Sequence, residues 1–479
     1  MAMSDSFNPD QFLLDFTAEF AFDPTDEQKE TMRALVDYLF DSHPRKLFIL
    51  SGYAGTGKTA VTGAFIRTLE RYKLKSRLLA PTGRAAKVLG SRAKNVAYTI
   101  HKQIYRRKTS SDEYSAVSLN MNLHKRTLFF VDEASMIADY AQQADGSITS
   151  RNLLNDLFEY VYSGNECALI LIGDEGQLPP VGSDFSPALN ADYLQHHYPL
   201  FRFYYTKLTT VVRQSADSGI LWNATRLRSS TNTILPFSLP GFKDIIRLNG
   251  AEFAEELESS FDRVGQEETL VITRSNKWAN QYNNQIRSRI LWYEEQLCTG
   301  DMLMVVRNNY FWVNEESRMG FVANGETIQL IRLKKIEECY GFQFAHATIR
   351  FVDYDDLSEM DVLLLLEVLQ SDSPALPRTR MKELFFAIEQ DYLNEKNKKK
   401  RYELILKNPY FNALQVKFAY TVTCHKSQGG QWAHVYIDQG YVDSAITIED
   451  QKRWLYTAVT RATERVYLVN FPDTSFDSE

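Results

Sequence analysis

An eight-residue stretch with the pattern G-x-x-x-x-G-K-[ST] predicts a nucleoside triphosphate site. It runs from Gly52 to Thr59 and follows the apolar run Leu47–Leu50, which is typical of a buried strand. The glycines let successive backbone N–H groups face the phosphates, Lys58 supplies a point charge to the β- and γ-phosphates, and the Thr59 hydroxyl ligates Mg²⁺. Apolar residues recur at helical spacing from Val61 to Leu69, so strand, loop and helix come in the order that such a site requires.

Two adjacent carboxylates end another apolar run. Asp132 and Glu133 follow the predicted strand Thr127–Val131. Asp132 is placed to hold the Mg²⁺ shell and Glu133 to polarise the attacking water, while a pair of solvated acids at a strand end is the alternative interpretation. The stretch Gly173–Gly182 follows a further strand, and its Gln177 is placed to sense the γ-phosphate.

Composition limits the class of protein. The 479 residues are 44% hydrophobic, which allows about three domains with cores of their own. We find no signal peptide and no apolar stretch of about 20 residues, so we expect a soluble cytoplasmic protein without a membrane partner. The four cysteines lie far apart without C-x-x-C spacing, which argues against a disulfide framework or a zinc site. Because the net charge is −7, any nucleic-acid site must be local.

Short apolar runs followed by polar or glycine residues predict two α/β units. In the first unit, which ends at about residue 200, the candidate strands are Leu47–Leu50, Arg77–Ala80, Thr127–Val131 and Ala168–Ile172. The second unit comprises the strand Leu270–Thr273, the helical stretch Trp278–Trp292, and the later strands Val416–Val422, Val435–Ile437 and Val466–Val469. Residues 1–20 lack clear periodicity, and we interpret them as a loosely held arm.

The second α/β unit is interrupted. Stretches rich in β-formers predict a small β-barrel or sheet from Asp301–Val306, Tyr310–Val313, Glu326–Leu333 and Ala345–Val352. Two helical stretches follow, at about Ser358–Gln370 and Arg378–Lys396, and end in the charge run Lys396–Arg401. We interpret this run as an exposed helix end, with a DNA contact as the less favoured alternative.

The sequence around Gly173–Gly182 resembles a motif of a known family. A D-E-A-S box followed by Gly-Asp-x-x-Gln-Leu-Pro-Pro-Val-Gly is similar to superfamily 1 helicases, subgroup B, of the RecD/Dda-like group. Further segments resemble that group's motifs in the same order: Asp23–Gln28, the phosphate-binding loop, Ala80–Lys87, Thr99–His101, Val212–Gln214, Thr273–Arg287, Tyr420–Gly429 and Tyr456–Ala462. The likeness is weak between about 350 and 412.

The resemblance implies two RecA-like P-loop NTPase domains with an inserted SH3-like β subdomain and a helical insertion. It places the N-terminal arm at 1–20, the first domain at 21–200 with a small pin insertion at about 100–125, the second at 201–300 and 411–479, the SH3-like subdomain at 301–352 and the helical insertion at 353–410. It also implies that Gln28 hydrogen-bonds adenine and that Arg213 and Arg461 are arginine fingers. The predicted ATP-binding residues are Gln28, Gly52, Ala54, Gly55, Thr56, Gly57, Lys58 and Thr59; the catalytic residues are Lys58, Glu133, Gln177, Arg213 and Arg461, with Mg²⁺ on Thr59 and Asp132.

Residues that match the family's DNA-binding motifs predict a path for single-stranded DNA. They are Pro81, Thr82, Arg84, His101, Asn276, Thr423, His425 and Lys426. Small polar and basic side chains at loop ends bind phosphates without reading bases, as a motor on any sequence requires. Thr423 and His425 could instead orient the neighbouring loop, and Arg84 could be structural.

We therefore expect an ATP-dependent DNA helicase that works on single strands and on single-strand/duplex junctions, with ATP and Mg²⁺ as cofactors. The resemblance implies 5′→3′ movement. The basic and aromatic stretch His101–Lys108 precedes the place of a duplex-splitting pin, with a solvated face as an equal alternative. A translocase that remodels protein–DNA complexes with little unwinding and an ATP-gated single-strand-binding scaffold are the competing functions. RNA preference, oligomeric state and cellular pathway stay open.

Overall fold

A computed structural model gives the structure of the protein. It describes residues 8–107, 117–140, 151–212, 218–229, 233–313, 319–354 and 357–477. These residues form a six-stranded sheet, a five-stranded sheet, a closed five-stranded barrel and a small two-stranded sheet. Both predicted α/β units and the inserted β unit are present, so the predicted fold class is confirmed.

The first sheet is parallel and buried in its centre. Its strands, in spatial order, are β3 (Ala97–Thr99), β2 (Lys75–Ala80), β6 (Thr127–Val131), β7 (Ala168–Gly173), β1 (Lys46–Gly52) and β8 (Arg202–Leu208). Helices α2 (Asp26–Phe40), α3 (Lys58–Arg71), α4 (Gly83–Ala93), α5 (Ile100–Ile104), α6 (Leu153–Ser163) and α7 (Ala191–His197) belong to this unit. Parallel strands end at one edge, so the residues after β1, β6 and β7 come together there.

The first sheet extends beyond the predicted boundary at about residue 200. β8 pairs with β1 from Lys46↔Arg202 to Gly52↔Leu208, so it is the sixth strand of this sheet. Sequence inspection did not find it because this edge strand is half-exposed and lacks a continuous apolar run. The antiparallel pair β4 (Tyr105–Arg107) and β5 (Val117–Leu119) lies at the predicted pin, whose tip at 108–116 is outside the described residues.

The N-terminal segment is not a loose arm within its described part. Residues Pro9–Glu19 form helix α1, which Asn8 caps by accepting the Asp10 N–H at 2.8 Å. Phe12 and Phe16 are fully buried, with ring centroids 6.0 and 5.1 Å from that of Phe65 in α3. The prediction missed the four-residue spacing of Phe12 and Phe16. Their packing, together with the ion pairs of Glu19 with Arg67 and Arg71, holds this short helix on α3.

The second sheet is also parallel. Its order is β16 (Thr421–Thr423), β10 (Thr269–Thr273), β17 (Trp432–Ile437), β18 (Ala462–Val469) and β9 (Ile245–Leu248). The helices of this unit are α8 (Gly219–Ser229), α9 (Phe253–Val264), α10 (Asn276–Gln285, continued by a π-turn at Ile286–Ile290), α13 (Cys424–Ser427) and α14 (Ile448–Val459). The sheet resumes at Thr421 rather than at 411, because residues before it belong to the barrel.

The barrel consists of β11 (Met302–Val305), β12 (Thr327–Cys339), β13 (Phe342–Phe351), β14 (Met360–Leu365) and β15 (Leu414–Phe418). Strand β14 replaces the helix predicted at about Ser358–Gln370: it pairs with β13 from Phe344↔Leu365 to Ile349↔Met360. A short, wholly apolar run does not distinguish a buried strand from a buried helix, and here β13 offered a partner. The strand predicted at Tyr310–Val313 is irregular chain.

Two helices complete the insertion between β14 and β15. They are α11 (Arg378–Glu389) and α12 (Lys398–Leu406), so the helical part of the predicted insertion is confined to its second half.

All four cysteines are free. Over the ranges that the structure describes, we find no helix that is both long and apolar enough to span a membrane.

Replacing Phe16 by Ala tests whether α1 is part of the first domain. Because Phe16 is fully buried, we expect the free energy of unfolding to fall by about 3–5 kcal/mol in guanidinium titrations. Leu14→Ala is the control, since Leu14 on the same helix is 64% exposed and its loss should cost less than about 0.5 kcal/mol. Equal stability of the two variants would show that α1 does not pack as described.

Candidate nucleotide site and nucleic-acid interface

The phosphate-binding loop lies between β1 and α3, at the carboxyl edge of the first sheet. Gly55 and Gly57 have φ of 75° and 86°, which side chains with a Cβ rarely adopt. Gly57 caps α3 without any side-chain hydrogen bond, so the first backbone N–H groups of the helix are left for a ligand. Lys58 Nζ donates to the carbonyls of Gly52 and Tyr53 at 2.5 and 2.9 Å, which places the ammonium over the loop.

Gln28 lies directly against this loop. Its side chain is 1% exposed and donates from Nε2 to the Thr56 carbonyl at 2.9 Å, while its Oε1 accepts the Thr25 N–H at 2.9 Å in a capping box. A Cβ at position 57 would lie 2.4 Å from Gln28 Nε2, so this contact also requires Gly57. Gln28 is thus next to the nucleotide loop, and its contact with adenine stays a prediction.

Asp132 and Glu133 face the same edge from the end of β6. Glu133 has a φ of 53°, a left-handed conformation that is strained for a glutamate, and its N–H donates to Asp132 Oδ1 at 2.9 Å. Burial raises the pKa of both carboxyls, and the charge of Asp132 raises the pKa of Glu133 further. Lys58 opposes the shift of both groups, and Arg461 opposes that of Glu133. A glutamate with a raised pKa suits a group that accepts a proton from water.

Arg461 enters this site from the second sheet. It is 2% exposed, and its guanidinium donates to the carbonyls of Thr457 and Gly430, each at 3.1 Å. A cavity of about 410 Å³ lies between the two domains and is lined from the first domain by Lys58, Thr59, Arg92, Asp132, Glu133 and Gln177, and from the second by Thr460, Arg461 and Thr463. Arg213 is outside the described residues; its neighbour Val212 lines the cavity and donates its N–H to the Gly55 carbonyl at 3.1 Å.

A tyrosine of the second domain joins the two domains at the phosphate-binding loop. The buried Tyr456 hydroxyl accepts the Ala54 N–H at 2.8 Å and donates to Asp174 Oδ2 at 2.6 Å. We did not predict a role for either side chain, although both lie within the motifs. Their roles could have been predicted from their chemistry, because a tyrosine and an aspartate in apolar surroundings need hydrogen-bond partners.

The stretch after β7 is held by the second domain in the same way. The Leu178 N–H donates to Thr457 Oγ1 at 2.8 Å, and its carbonyl accepts from Gln428 Nε2 at 2.6 Å. The adjacent Gln177 is 5% exposed, and its Oε1 has no hydrogen-bond partner in the part of the chain that the structure describes. Gln177 therefore lies in the cavity wall with a free acceptor.

Arg92 is a second residue that sequence reasoning missed. It lines the cavity from α4, donates to Gln431 Oε1 of the second domain at 2.7 Å and lies 3.4 Å from Thr59 Oγ1. Its charge also acts on Asp132. In the sequence, Arg92 is no more than an arginine on a predicted helix surface.

The residues at the proposed metal position fit Mg²⁺. Thr59 and Asp132 both line the cavity and supply a hydroxyl and a carboxylate, which are the oxygen ligands that Mg²⁺ binds. Groups of three or more His, Cys, Asp or Glu side chains that could hold a metal are absent from the described ranges. Mg²⁺ needs no such group, since it is held by one or two protein ligands together with phosphates and water.

On the first domain, the predicted DNA contacts lie near the amino end of α4. Thr82 caps α4 by accepting the Ala85 N–H at 3.2 Å, directly after Pro81. His101 lies in α5, where burial lowers its pKa to about 4, so its ring is neutral at physiological pH.

Arg84 is instead tied to the rest of the protein. Its guanidinium donates to the Gln431 carbonyl at 2.6 Å, lies over the Trp432 ring at 4.3 Å, and lies 3.5 and 3.7 Å from carboxylate oxygens of Glu268 and Asp353. With 14% of its side chain exposed, it joins the first domain to the second and to the barrel. These contacts favour the structural alternative for Arg84.

On the second domain, the predicted DNA contacts share one sheet edge. Asn276 begins α10 just after β10, and Thr423 ends the adjacent β16, with Thr273 paired to Thr423. His425 and Lys426 follow in α13. Burial, with a smaller effect from Lys417, lowers the pKa of Lys426 to about 8, and its ammonium has no ion pair within the described ranges.

The barrel docks onto the first domain beside these residues. The Glu326 carboxylate lies so close to Gly83 that a Cβ there would be 2.2 Å from Oε1, and Lys87 Nζ donates to the Val352 carbonyl at 3.0 Å. Burial, reinforced by the nearby charge of Asp353, raises the pKa of Glu326 to about 8. The barrel therefore covers part of the amino end of α4.

Comparison with known proteins adds to this geometry. A family model of an AAA domain matches residues 24–233, and a model of the UvrD-like helicase C-terminal domain matches residues 418–469. These matches cover the two halves of the cavity in the order in which the motifs occur. The ATP-dependent RecD2 DNA helicase of Deinococcus radiodurans is 31% identical over 179 residues, which is 37% of this chain and 21% of that protein.

The chain is thus similar to an AAA domain, to the C-terminal domain of UvrD-like helicases and, over 37% of its length, to a RecD2 DNA helicase. The residues matched by the AAA-domain model include the phosphate-binding loop from Gly52 to Thr59. Uncharacterized protein R530 of Acanthamoeba polyphaga mimivirus is 23% identical over 508 residues, covering 92% of this chain and 98% of that one. Among solved structures, a Pif1 helicase from Bacteroides in complex with ADP-AlF3 and ssDNA covers 96% of this chain and 95% of its own, at 14% identity and a TM-score of 0.47.

Replacing Tyr456 by Phe tests the joint between the domains. The change leaves the Asp174 carboxylate and the Ala54 N–H buried without this partner, which costs about 1–3 kcal/mol and should slow ATP turnover about tenfold or more. Tyr441→Phe is the control, because Tyr441 is 82% exposed. An unchanged turnover rate in a folded Tyr456→Phe protein would contradict a role for this hydroxyl in closing the site.

Replacing Glu326 by Gln tests the docking of the barrel through its pH dependence. The pKa of Glu326 is about 8 in the folded protein and 4.5 ordinarily, so the folded state binds the extra proton. The contribution of the Glu326 carboxyl to the free energy of unfolding is full below pH 4.5 and is lost as the pH rises through 8. The loss is at most about 1.4 kcal/mol per pH unit. Gln does not titrate, so the variant should lose this slope in unfolding titrations, whereas Glu338→Gln, at an exposed position of β12, should keep it. Equal slopes in all three proteins would refute the buried docking of Glu326.

Proposed function

We propose that this protein is an ATP-dependent DNA helicase that moves 5′→3′ along single-stranded DNA and separates duplex ahead of it. The observation that carries the proposal is the cavity between the two domains, because Lys58 and Glu133 line it from the first and Arg461 from the second. A site assembled from two domains links the state of the nucleotide to the relative position of those domains. Such a link is what a motor requires.

Each cavity residue has a role in hydrolysis under this proposal. Lys58 would hold the β- and γ-phosphates, and Thr59 with Asp132 would hold Mg²⁺, which would neutralise phosphate charge. Glu133 orients the attacking water and accepts its proton. Arg461 and Arg213 stabilise the charge that spreads over the transferred phosphoryl group, a contribution of about 10³–10⁵ in rate when arginine is supplied across a cleft.

The connection from nucleotide to DNA runs through the stretch after β7. Gln177, in the cavity wall, adjoins Leu178, whose backbone is bonded to Thr457 and Gln428 of the second domain. Gln428 is two residues from Lys426, a predicted DNA contact. Closure around ATP would therefore change the spacing between the DNA contacts of the two domains, and alternating grip would move the strand.

The proposed contacts with single-stranded DNA are Pro81, Thr82, His101, Asn276, Thr423, His425 and Lys426. They supply hydroxyl, amide, imidazole and ammonium groups, which bind phosphates without distinguishing bases. Lys426 is suited to this role, because its ammonium is partly buried, its pKa is lowered, and a phosphate would stabilise its charged form. Arg84 is left out because its guanidinium already binds the second domain.

Glu133→Gln separates binding from catalysis. The variant keeps the size of the side chain but cannot accept a proton, so we expect ATP to bind with unchanged affinity while turnover falls by about 10²-fold or more. The measurement is ATP hydrolysis with and without oligo-dT, alongside binding of a fluorescent nucleotide. In the unaltered protein, oligo-dT should raise the rate strongly. A rate that does not respond to oligo-dT would favour an ATP-gated binding scaffold over a motor.

A strand-separation assay on matched 5′-tailed and 3′-tailed duplexes tests both activity and direction. We expect ATP-dependent separation of the 5′-tailed substrate only. Separation of the 3′-tailed duplex alone would reverse the proposed direction. Oligo-dT-stimulated hydrolysis without separation of either duplex would instead support a translocase that remodels protein–DNA complexes.

A further inference from the structure

The helical insertion carries a concentration of positive charge that the proposed motor does not use. Residues 378–407 hold nine Lys and Arg side chains against five Asp and Glu, a net charge of +4 in a chain whose total is −7. The rest of the chain therefore carries −11. Such a local reversal of charge points to an anionic partner at this place rather than to the general charge of the surface.

One side of the insertion is fixed to the barrel and the other is open. Leu384, Phe385 and Ile388 of α11 and Ile405 of α12 pack in one apolar cluster with residues of β13 and β14, including Phe342 and Phe344. The lysines at 382, 396, 398, 399, 400 and 407 are all exposed. The barrel thus holds the basic surface in a fixed position.

Most of these lysines have no internal partner. Lys400 pairs with Glu395 at 2.9 Å, but those at 382, 396, 398, 399 and 407 take part in no ion pair within the described residues. Lys398, Lys399 and Lys400 also occupy the first turn of α12, which contains no acidic residue. Positive charge there is opposed both by the neighbouring lysines and by the helix dipole. An external anion would relieve both repulsions.

The position of the insertion indicates which part of a DNA substrate it would meet. The first residues of β13 pack against the insertion, whereas Val352 and Asp353, just after its last residue, contact Lys87 and Arg84 of the first domain. Ten residues of strand at about 3.3 Å each separate the two ends by about 30 Å. That is the length of roughly nine base pairs at 3.4 Å each.

We propose that the surface formed by Lys382, Lys396, Lys398, Lys399, Lys400 and Lys407 binds the phosphate backbone of duplex DNA that flanks the single strand held by the motor. This rests on the proposed function, because it takes the strand path along the two domains as given. The insertion would anchor the substrate about nine base pairs from the junction without reading its sequence. It adds affinity for junctions with long flanks and none for single strands.

Lys398→Glu/Lys399→Glu in the full chain tests this surface. The probes are an oligo-dT tail alone and the same tail, in either polarity, attached to hairpin stems of about 4 or about 20 base pairs. We expect the variant to bind the long-stem substrate at least about fivefold more weakly and with a salt slope smaller by about 2. Binding of the tail alone and of the short stem should be unchanged, as should hydrolysis stimulated by oligo-dT.

Lys75→Glu/Lys125→Glu is the matched control, since it reverses two exposed charges at the amino-terminal edge of the first sheet, away from the proposed strand path. Equal weakening by the control pair would attribute the effect to total charge and overturn the proposal. Unchanged binding of the long stem, or an equal loss on the tail alone, would also overturn it. Failure of the unaltered chain to bind the tail at all would instead remove the proposed function.

Discussion

The structure depends on polar contacts that cross the cleft between the two parallel-sheet domains. Tyr456 joins the phosphate-binding loop to Asp174, and Arg461 reaches the same cavity as Lys58 and Glu133. Tyr456, Asp174 and Arg461 are buried, and a buried polar group that loses its hydrogen-bond partner is costly. Under the proposed function, closure of the cleft would complete the catalytic site.

The barrel extends this dependence to the DNA side of the molecule. Its Glu326 and Val352 contact α4, whose amino end carries the predicted contacts Pro81 and Thr82. Arg84, two residues after Thr82, binds the second domain and the barrel at once. Movement of the second domain or of the barrel would thus shift the residues of the first domain that lie on the proposed DNA path.

Much of the fold and of the nucleotide site could be predicted from the sequence, because both depend on local patterns. Continuous apolar strands, the glycine loop and the Asp132-Glu133 pair can be recognised without knowing their neighbours. The errors have a common cause. β8 is an edge strand, and β14 is a short apolar run that could form either a strand or a helix. α1 packs on the first domain through two aromatic side chains. Contacts with residues far away in sequence therefore determine the structure of all three elements. Tyr456 and Arg92 were missed because their importance comes from residues far away in sequence.

The central claim is that ATP is hydrolysed only when a guanidinium of the second domain completes the site of the first. The most direct test is the hydrolysis rate of Arg461→Ala at saturating ATP and oligo-dT, with nucleotide binding and thermal unfolding measured on the same protein. The account predicts a folded protein that binds ATP and hydrolyses it about 10³-fold or more slowly. A rate equal to that of the unaltered protein would contradict it.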